Sequence, residues 1–484
     1  MNRKMIGQVL GFLLMLECLF LAPGALVSAI HREFFALRAF FGTMLLSLAL
    51  GLLLYVICRG ASKNFYAREG FIIVGLGWII LSAIGALPFW VSGEIPHYVD
   101  ALFEVISGFT TTGSSILNNV EGMSKGLLFW RSFTHWLGGM GILVFLLAVV
   151  PMGKGDGYSV HLLRAESPGP SVGKLVPKIR QTAAILYGIY IALTVLCMFF
   201  LLLGGMPLFD SLCTAFGTAG TGGFGIKNDS MAGYSPYLQT VCTVFMALFG
   251  VNFSLYFLLL LGRFKEALLG EELRIYVGTI LVAVAIITWN IAPLYAGHLR
   301  QAVHDAAFTV SSIITTTGFA TVDFDTWPQL SRTILVVLMI MGASAGSTGG
   351  GTKVARILIL LKALSAKLRQ SLHPRSVNLV RVDDQTVSDE TVQGVYTYMT
   401  AYCAIAIVTV LILSLDNLSF ETNVTAMLAC LNNIGPGLGA VGPTGNFAHF
   451  SDLSKIVLML DMLLGRLEIF PMLMLVYPGT WKRG

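Results

Sequence analysis

Three stretches of this 484-residue sequence share one arrangement of polar residues at one spacing. An aspartate precedes a glycine by thirteen residues in DALFEVISGFTTTG (100–113), DSLCTAFGTAGTGG (210–223) and DAAFTVSSIITTTG (305–318). A looser copy, NVTAMLACLNNIGPG (423–437), begins with asparagine and is one residue longer. Each copy predicts a short apolar helix that the Asp or Asn caps, followed by a polar run that closes on glycine.

The polar runs carry the oxygen atoms that a dehydrated monovalent cation needs. A ring of backbone carbonyls can replace the water shell of a potassium ion, and glycine permits the dihedrals that align successive carbonyls. The threonines at 110–112 and 315–317 add hydroxyl oxygens, and the negative C-terminal pole of each short helix faces the same place. One Thr/Gly run is typical of an ordinary turn, but three at identical spacing predict a cation pore.

Membrane helices are the elements that would position these runs. Hydrophobic residues make up 55% of the chain and charged residues 12%, whereas a soluble domain has about 25% charged residues. Ten apolar runs are long enough to cross a bilayer: 5–30, 36–58, 70–92, 127–151, 181–204, 237–262, 274–297, 333–365, 393–415 and 454–478. The stretches that precede the polar runs are too short to span and therefore re-entrant, which requires a covering of protein or water. The sequence predicts an all-α polytopic membrane protein with a water-filled centre.

The internal repeat divides the chain into five predicted segments. A two-helix N-terminal extension, the transmembrane pair 1–68, precedes four pseudo-symmetric helix–pore-loop–helix repeats around one pore, at 69–155, 156–265, 266–375 and 376–484. The first helix lacks a small-residue cleavage site before the next span, so we interpret it as retained and not as a signal peptide.

Basic residues cluster at the N-terminus and at 59–68, 154–180, 263–274 and 353–381. By the positive-inside rule these segments are cytoplasmic, and we expect both termini on that side. The basic segments 151–180 and 353–392 are candidate docking surfaces for a partner. The net charge of +5 forms no soluble basic face of the kind that binds nucleic acid.

The eighth apolar run is interrupted by GASAGSTGGGTK (342–353). Such a Gly- and Ser-rich run cannot hold a stable helix. A plain helix end is one interpretation, and an unwound loop within the membrane is the other. A Walker phosphate loop is excluded because the residue order is wrong and no soluble strand precedes it.

Arg466 lies near the middle of the last apolar run, close in sequence to Asp461 and Glu468. A guanidinium at that depth is costly and seldom faces lipid. It either pairs with those carboxylates or with freed carbonyls, or it lies against the pore, where it repels cations or anchors the 342–353 loop. The two roles are compatible. Arg131 and His135 begin a helix beside the first polar run, and we expect them to snorkel or to brace that run.

Seven motifs give the whole chain a resemblance to the Trk/Ktr/HKT superfamily of potassium transporters, most closely to its bacterial Trk membrane subunits. They are TTTGSS (110–115), WRSFTHWLGGMGI (130–142), TGGFG (221–225), TTTGF (315–319), GASAGSTGGGTK (342–353), NNIGPGLG (432–439) and GRLEIFP (465–471).

The resemblance implies one filter glycine per repeat, namely Gly113, Gly223, Gly318 and Gly437. The implied potassium ligands are Thr111, Thr112, Gly113, Thr221, Gly222, Gly223, Thr316, Thr317, Gly318, Gly435, Pro436 and Gly437. The implied gate is the 342–353 loop, with gating residues Gly346, Ser347, Thr348, Gly349, Gly350 and Arg466.

The same resemblance implies a potassium uptake channel that also conducts Rb⁺ and forms a homodimer in the lipid of a bacterial inner membrane. It further implies a cytoplasmic regulatory ring that binds NAD or ATP. The transported potassium ion is the expected cargo, with no organic cofactor on this chain.

Two other function classes are alternatives to a potassium channel. A secondary symporter that couples Na⁺ or H⁺ to the uptake of K⁺ or a solute also has discontinuous helices, but it usually shows inverted repeats and two broken helices. This alternative stays open. An intramembrane metalloprotease needs HExxH, which the sequence lacks, and we expect a protein that is not an enzyme.

Overall fold

The computed structural model describes residues 2–60, 67–141, 179–375 and 378–481. In these ranges the regular secondary structure is helical apart from one short hairpin, so the predicted all-α class is confirmed. The helices are α1 (Arg3–Ile30), α2 (Phe34–Ile57), α3 (Ala67–Gly85), α4 (Leu87–Val91), α5 (Tyr98–Phe109), α6 (Lys125–Gly139), α7 (Ile179–Leu203), α8 (Leu208–Ala219), α9 (Pro236–Phe249), α10 (Phe253–Leu260), α11 (Phe264–Leu268), α12 (Glu271–Ile291), α13 (Leu299–Ile314), α14 (Gln329–Met341), α15 (Val354–Leu372), α16 (Asp389–Leu413), α17 (Phe420–Leu431), α18 (Asp452–Arg466), α19 (Phe470–Val476) and α20 (Pro478–Trp481).

The hairpin joins β1 (Arg381–Val382) to β2 (Gln385–Thr386) in an antiparallel pair. Short 3₁₀ turns occupy Ala292–Tyr295, Phe324–Thr326, Ser414–Asp416 and Gly439–Val441.

Within the described ranges, six helices are long and apolar enough to cross a membrane. They are Arg3–Ile30, Phe34–Ile57, Arg68–Val91, Gln181–Leu203, Glu271–Tyr295 and Asp389–Asp416. Each agrees with one of the predicted apolar runs. The end of the run 127–151, the predicted boundary at 155/156 and most of the segment 151–180 lie outside the described residues.

Two other predicted spans are not continuous helices. The run 237–262 bends by 89° between α9 and α10, and the run 454–478 breaks after Arg466, between α18 and α19. The break before α10 is stabilised because the side chain of Asn252 accepts a hydrogen bond from the N–H of Ser254 at 2.9 Å. At the second break, Glu468 and Ile469 take φ of 58° and 67°, which a helix cannot contain. The interruption predicted at 342–353 separates α14 from α15.

The four short helices predicted from the repeat are α5, α8, α13 and α17, but their predicted caps are wrong. The N-cap residues are His97, Pro207, His298 and Ser419. Asp100 and Asp210 lie inside the first turn of their helices, where a carboxylate still complements the positive helix pole.

The three repeat aspartates bind side chains instead of capping helices. Asp100 pairs with Lys455 at 2.6 Å, Asp210 accepts a hydrogen bond from Tyr234 at 3.0 Å, and Asp305 accepts one from Tyr295 at 2.8 Å. Burial, together with the carboxylate of Asp210, raises the pKa of Tyr234. The aspartates thus connect three of the short helices to the segments packed around them.

The N-terminal helices α1 and α2 pack with their backbones in close approach. A Cβ on Gly11 would lie 2.7 Å from the carbonyl oxygen of Gly51, and a Cβ on Gly51 would lie 2.8 Å from that of Gly11. Ser47 also donates a hydrogen bond to the carbonyl of Leu14 at 2.8 Å. Small residues at a membrane helix interface allow this approach, so the pair forms one unit.

We predict that Gly51→Leu forces helices α1 and α2 apart. Overpacking a tight contact costs about 1–3 kcal/mol, so the variant should unfold at a lower temperature than the wild type in detergent. Gly42→Leu on the same helix is the control, because a side chain at Gly42 would meet nothing within 4 Å. Equal unfolding temperatures for the two variants would contradict the packing described here.

Candidate functional site

Each short helix ends in the same hydrogen-bonded turn, which leads into a five-residue loop. We name these glycine loops 1 to 4, at 110–114, 220–224, 315–319 and 432–436. The N–H of the third loop residue donates to a carbonyl five residues earlier, with lengths of 2.9, 2.9, 2.8 and 2.8 Å in loops 1 to 4. This is the Schellman arrangement, in which a residue in left-handed conformation closes a helix C-terminus.

The left-handed residue is the second residue of every glycine loop. It is Thr111, Thr221, Thr316 or Asn433, with φ of 56°, 53°, 59° and 55°. A β-branched residue rarely takes this conformation, and such strain persists only where the surroundings impose it. Threonine carries no sequence signal for a left-handed turn, so this feature was not predicted.

The fourth residue of each loop is a glycine with positive φ. These glycines are Gly113, Gly223, Gly318 and Gly435, with φ of 82°, 73°, 84° and 102°. The prediction that Gly437 is the fourth equivalent glycine is therefore wrong. A Cβ on Gly437 would lie 2.8 Å from the hydroxyl of Thr425, on the helix of its own repeat. Counted from the common helix end, the fourth copy contains no extra residue before its glycine.

The four loops close into a ring through contacts of one kind. A Cβ built on the fourth residue of a loop would meet the carbonyl oxygen of the third residue of the next loop. The distances are 2.0 Å from Gly113 to Gly222, 1.9 Å from Gly223 to Thr317, 2.1 Å from Gly318 to Ile434 and 2.9 Å from Gly435 to Thr112. Real Cβ atoms do not approach an oxygen so closely, so only glycine fits these positions. The order of contacts is 1 to 2, 2 to 3, 3 to 4 and 4 back to 1.

One cavity lies on one side of this ring. Its volume is 120 Å³, and all four glycines of the ring line it. Ser114, Phe224 and Pro436, the fifth residues of loops 1, 2 and 4, lie in the same wall. The glycines therefore face a shared, open space.

A buried ion pair braces glycine loops 1 and 2. The side chains of Arg131 and Glu104 are 3% and 0% exposed, and they pair at 2.6 Å. Arg131 also donates to the carbonyl of Gly225 at 2.8 Å, and its guanidinium lies 3.5 Å from the centre of the Phe224 ring. Of the two roles expected for Arg131, the structure shows bracing. A carboxylate left alone at this depth would be strongly destabilising.

The Gly- and Ser-rich segment 342–353, called the Gly/Ser loop below, lies on the other side of the ring from the cavity. It contacts the first and second residues of glycine loops 3 and 4, whereas the cavity is lined by fourth and fifth residues. Gly350 donates to the hydroxyl of Thr316 at 2.6 Å, and Gly351 donates to the carbonyl of Asn432 at 3.0 Å. Thr348 donates to the carbonyl of Phe249 at 3.2 Å. The interpretation as a folded loop, and not as a plain helix end, fits these contacts.

Arg466 connects this loop to glycine loop 1. Its guanidinium donates to the carbonyl of Thr348 at 2.9 Å and to the hydroxyl of Thr111 at 3.2 Å. It also donates to the carbonyls of Gly138 and Gly139, at the end of α6. The two carboxylates predicted as alternative partners bind other residues: Glu468 pairs with Arg356, and Asp461 accepts a hydrogen bond from Thr409 at 3.0 Å.

The predicted site residues thus come together around the ring, with one exception. Gly346, Ser347, Thr348, Gly349 and Gly350 all lie in the Gly/Ser loop, and ten of the twelve predicted ligand positions lie in the second to fourth residues of the glycine loops. Pro436 follows its ring glycine, and Gly437 lies beyond the loop. Asn433 and Ile434, the second and third residues of loop 4, were not among the predicted ligands.

Known proteins match the chain over its length. The TrkH family model, described as a cation transport protein, matches residues 36–479. The Trk system potassium uptake protein TrkH of Salmonella typhimurium is 37% identical over 100% of both chains. TrkG of Escherichia coli, with the same description, is 31% identical over 99% of both. The crystal structure of the potassium transporter TrkH from Vibrio parahaemolyticus aligns with a TM-score of 0.90 at 31% identity, over 100% of both chains. The resemblance predicted from the motifs is confirmed.

We predict that Gly223→Ala destabilises the fold more than Gly205→Ala does. Both glycines have positive φ, of 73° and 81°, so both variants carry a conformational cost of about 1–2 kcal/mol. Only at Gly223 would the new Cβ clash with a neighbouring carbonyl, since a Cβ on Gly205 would have no such atom within 4 Å. Thermal unfolding of the purified variants measures the difference. A Gly223→Ala variant as stable as Gly205→Ala would rule out the closed ring.

Proposed function

We propose that this chain, which belongs to the TrkH family of cation transport proteins, takes up potassium through the ring of glycine loops. The closed ring of carbonyl contacts is the observation that carries the proposal. A permeating ion must exchange its water shell for oxygen ligands, and converging backbone carbonyls supply them. The C-terminal poles of α5, α8, α13 and α17 point into the same region and favour a cation.

The proposed potassium ligands are backbone oxygens of the third and fourth loop residues. They are the carbonyls of Thr112, Gly113, Gly222, Gly223, Thr317, Gly318, Ile434 and Gly435. The side chains of Thr111 and Thr316 are engaged with Arg466 and the Gly/Ser loop, so their role is to join the ring to that loop. Rb⁺ is close to K⁺ in size and should pass as well.

We assign the role of a gate to the Gly/Ser loop. Apart from Gly346 and Gly351 its residues are buried, and it bonds to glycine loops 3 and 4 directly and to loop 1 through Arg466. An element held against the ring on one side obstructs passage. The cationic Arg466 adds electrostatic repulsion of a permeating ion in a region of low dielectric constant.

The proposal includes the membrane orientation of the transporter and its partners. The basic clusters support cytoplasmic termini, in which case an interior-negative potential drives uptake by about 2.3 kcal/mol per charge for each 100 mV. Residues 353–382 contain Lys and Arg but no Asp or Glu, which suits docking of an acidic face of a cytoplasmic nucleotide-binding ring. A homodimer in a bacterial inner membrane completes the proposal.

The direct test is ion flux in liposomes that contain the purified protein. We expect K⁺ and Rb⁺ to pass at similar rates, and Na⁺ and Li⁺ more slowly, because a ring fitted to the larger ions coordinates the smaller ones poorly. Empty liposomes provide the control. Flux that requires a Na⁺ or H⁺ gradient would favour the symporter, and no flux of any of the four ions would refute the proposed function.

A second test addresses the gate. We predict that Arg466→Ala raises K⁺ flux several-fold, because it removes both the anchor of the Gly/Ser loop and a positive charge. Arg332→Ala is the matched control: Arg332 pairs with Asp325 and Glu421 but bonds to neither the ring nor the Gly/Ser loop in the part of the chain described. Unchanged flux in a folded Arg466→Ala protein would leave Arg466 with a structural role alone.

A further inference from the structure

His135, on α6, is fully buried between glycine loops 1 and 2. Its Nδ1 lies 2.8 Å from the carbonyl oxygen of Gly108, in the last turn of α5. Its Nε2 lies 3.2 Å from the backbone nitrogen of Phe224, the residue that follows the ring glycine of loop 2. The imidazole therefore connects the helix of one repeat to the loop of the next.

These two contacts define the protonation of the ring. The backbone N–H of Phe224 is a donor, so Nε2 must accept and carry no proton. The carbonyl of Gly108 is an acceptor, so Nδ1 must carry the proton. The imidazole is neutral in this arrangement, and it can make both bonds only as the Nδ1–H tautomer.

Glycine loops 2 and 4 have no hydroxyl side chains at their first and third positions, and His135 contacts loop 2. In loop 1 the hydroxyls of Thr110 and Thr112 bond to each other at 2.8 Å, and in loop 3 those of Thr315 and Thr317 do so at 2.8 Å. Loop 2 has Gly220 and Gly222 at these positions. The threonine pairs fix the first residue of a loop to the third, and loop 2 cannot form such a pair.

His135 occupies the space that the missing pair would fill. A Cβ on Gly220 would lie 2.2 Å from the carbonyl oxygen of His135, and a Cβ on Gly222 would lie 2.2 Å from its Nδ1. The carbonyl of Gly222 is in turn the oxygen that packs against Gly113 in the ring. The imidazole thus packs directly against Gly222, which supplies one of the four third-residue carbonyls of the ring.

We propose that His135 is a positioning residue that replaces the threonine pair in glycine loop 2 and thereby sets the preference of the pore for K⁺ over Na⁺. The inference rests on the proposed function, since it takes the ring to be the ion path. With Nε2 bonded to Phe224, loop 2 is held at a fixed distance from loop 1. Without that bond, the Gly222 carbonyl can move inward and coordinate the smaller Na⁺.

Two substitutions separate the two bonds of His135. The side chain of His135→Gln is long enough for its amide oxygen to replace Nε2 and accept from Phe224. The shorter His135→Asn places its amide nitrogen near the position of Nδ1, where it can donate to Gly108, but it cannot reach Phe224. The two variants differ by one methylene and keep an amide in place of the imidazole.

The measurement is the ratio of K⁺ to Na⁺ flux in liposomes for the wild type and both variants. We expect His135→Gln to retain the wild-type ratio. We expect His135→Asn to lower it about tenfold while still conducting K⁺, because it leaves the buried N–H of Phe224 without an acceptor. A His135→Asn protein with the wild-type flux ratio would overturn the inference. So would a His135→Gln protein whose K⁺ to Na⁺ flux ratio falls as far as that of His135→Asn.

A measurement on the wild type covers the case in which neither variant folds. In ¹⁵N-histidine-labelled protein, NMR should show one buried imidazole with a protonated Nδ1 and an unprotonated Nε2. An Nε2–H tautomer or an imidazolium at His135 would overturn the inference. A wild type that shows no preference for K⁺ over Na⁺ would instead refute the proposed function, whatever the variants do.

Discussion

The rest of the structure depends on the packing of a carbonyl oxygen against the Cα of a glycine in the next loop. This contact occurs at all four joints of the ring and excludes every side chain, including a methyl group. The left-handed conformation of the same glycines independently excludes most other residues. Converging carbonyl oxygens repel one another electrostatically, so surrounding residues have to hold the four loops in place.

The support behind the ring is different at each joint. Arg131 and His135 hold loops 1 and 2, and the N–H of Met231 bonds to the carbonyl of Ala320 at 3.0 Å between the segments that follow loops 2 and 3. Asn433 donates to the hydroxyl of Thr112 at 2.9 Å, between loops 4 and 1. The Gly/Ser loop bonds to loops 3 and 4. The four loops therefore share one backbone conformation but have different surroundings, and the Gly/Ser loop packs against only one side of a nearly symmetric ring.

The sequence predicted those parts of the site that depend on residue type at a fixed spacing. The Thr and Gly runs located loops 1 to 3, and the Gly- and Ser-rich interruption located the loop beneath them. It did not reveal the correct register of loop 4, because two glycines flank Pro436 and either satisfies the pattern. Ile434 contributes a backbone oxygen to the ring, and its apolar side chain gives no sequence signal for that role.

The helix breaks were missed for a related reason. The sequences around 250–252 and 467–469 contain no strong helix breaker apart from one glycine, and the breaks are stabilised by tertiary contacts. Phe253 at the first break donates to the carbonyl of Gly346 in the Gly/Ser loop at 3.0 Å. The second break follows Arg466 directly. Local propensity cannot predict a break whose hydrogen-bonding partner lies about a hundred residues away.

The proposed function requires a dehydrated cation to sit within the ring of third- and fourth-residue carbonyls. Anomalous diffraction from crystals grown in a rubidium salt would locate the ion directly. The account predicts an anomalous peak on the common axis of Gly113, Gly223, Gly318 and Gly435, within coordination distance of carbonyls from all four loops. Rubidium bound only elsewhere, with the ring empty or filled by a side chain, would contradict it.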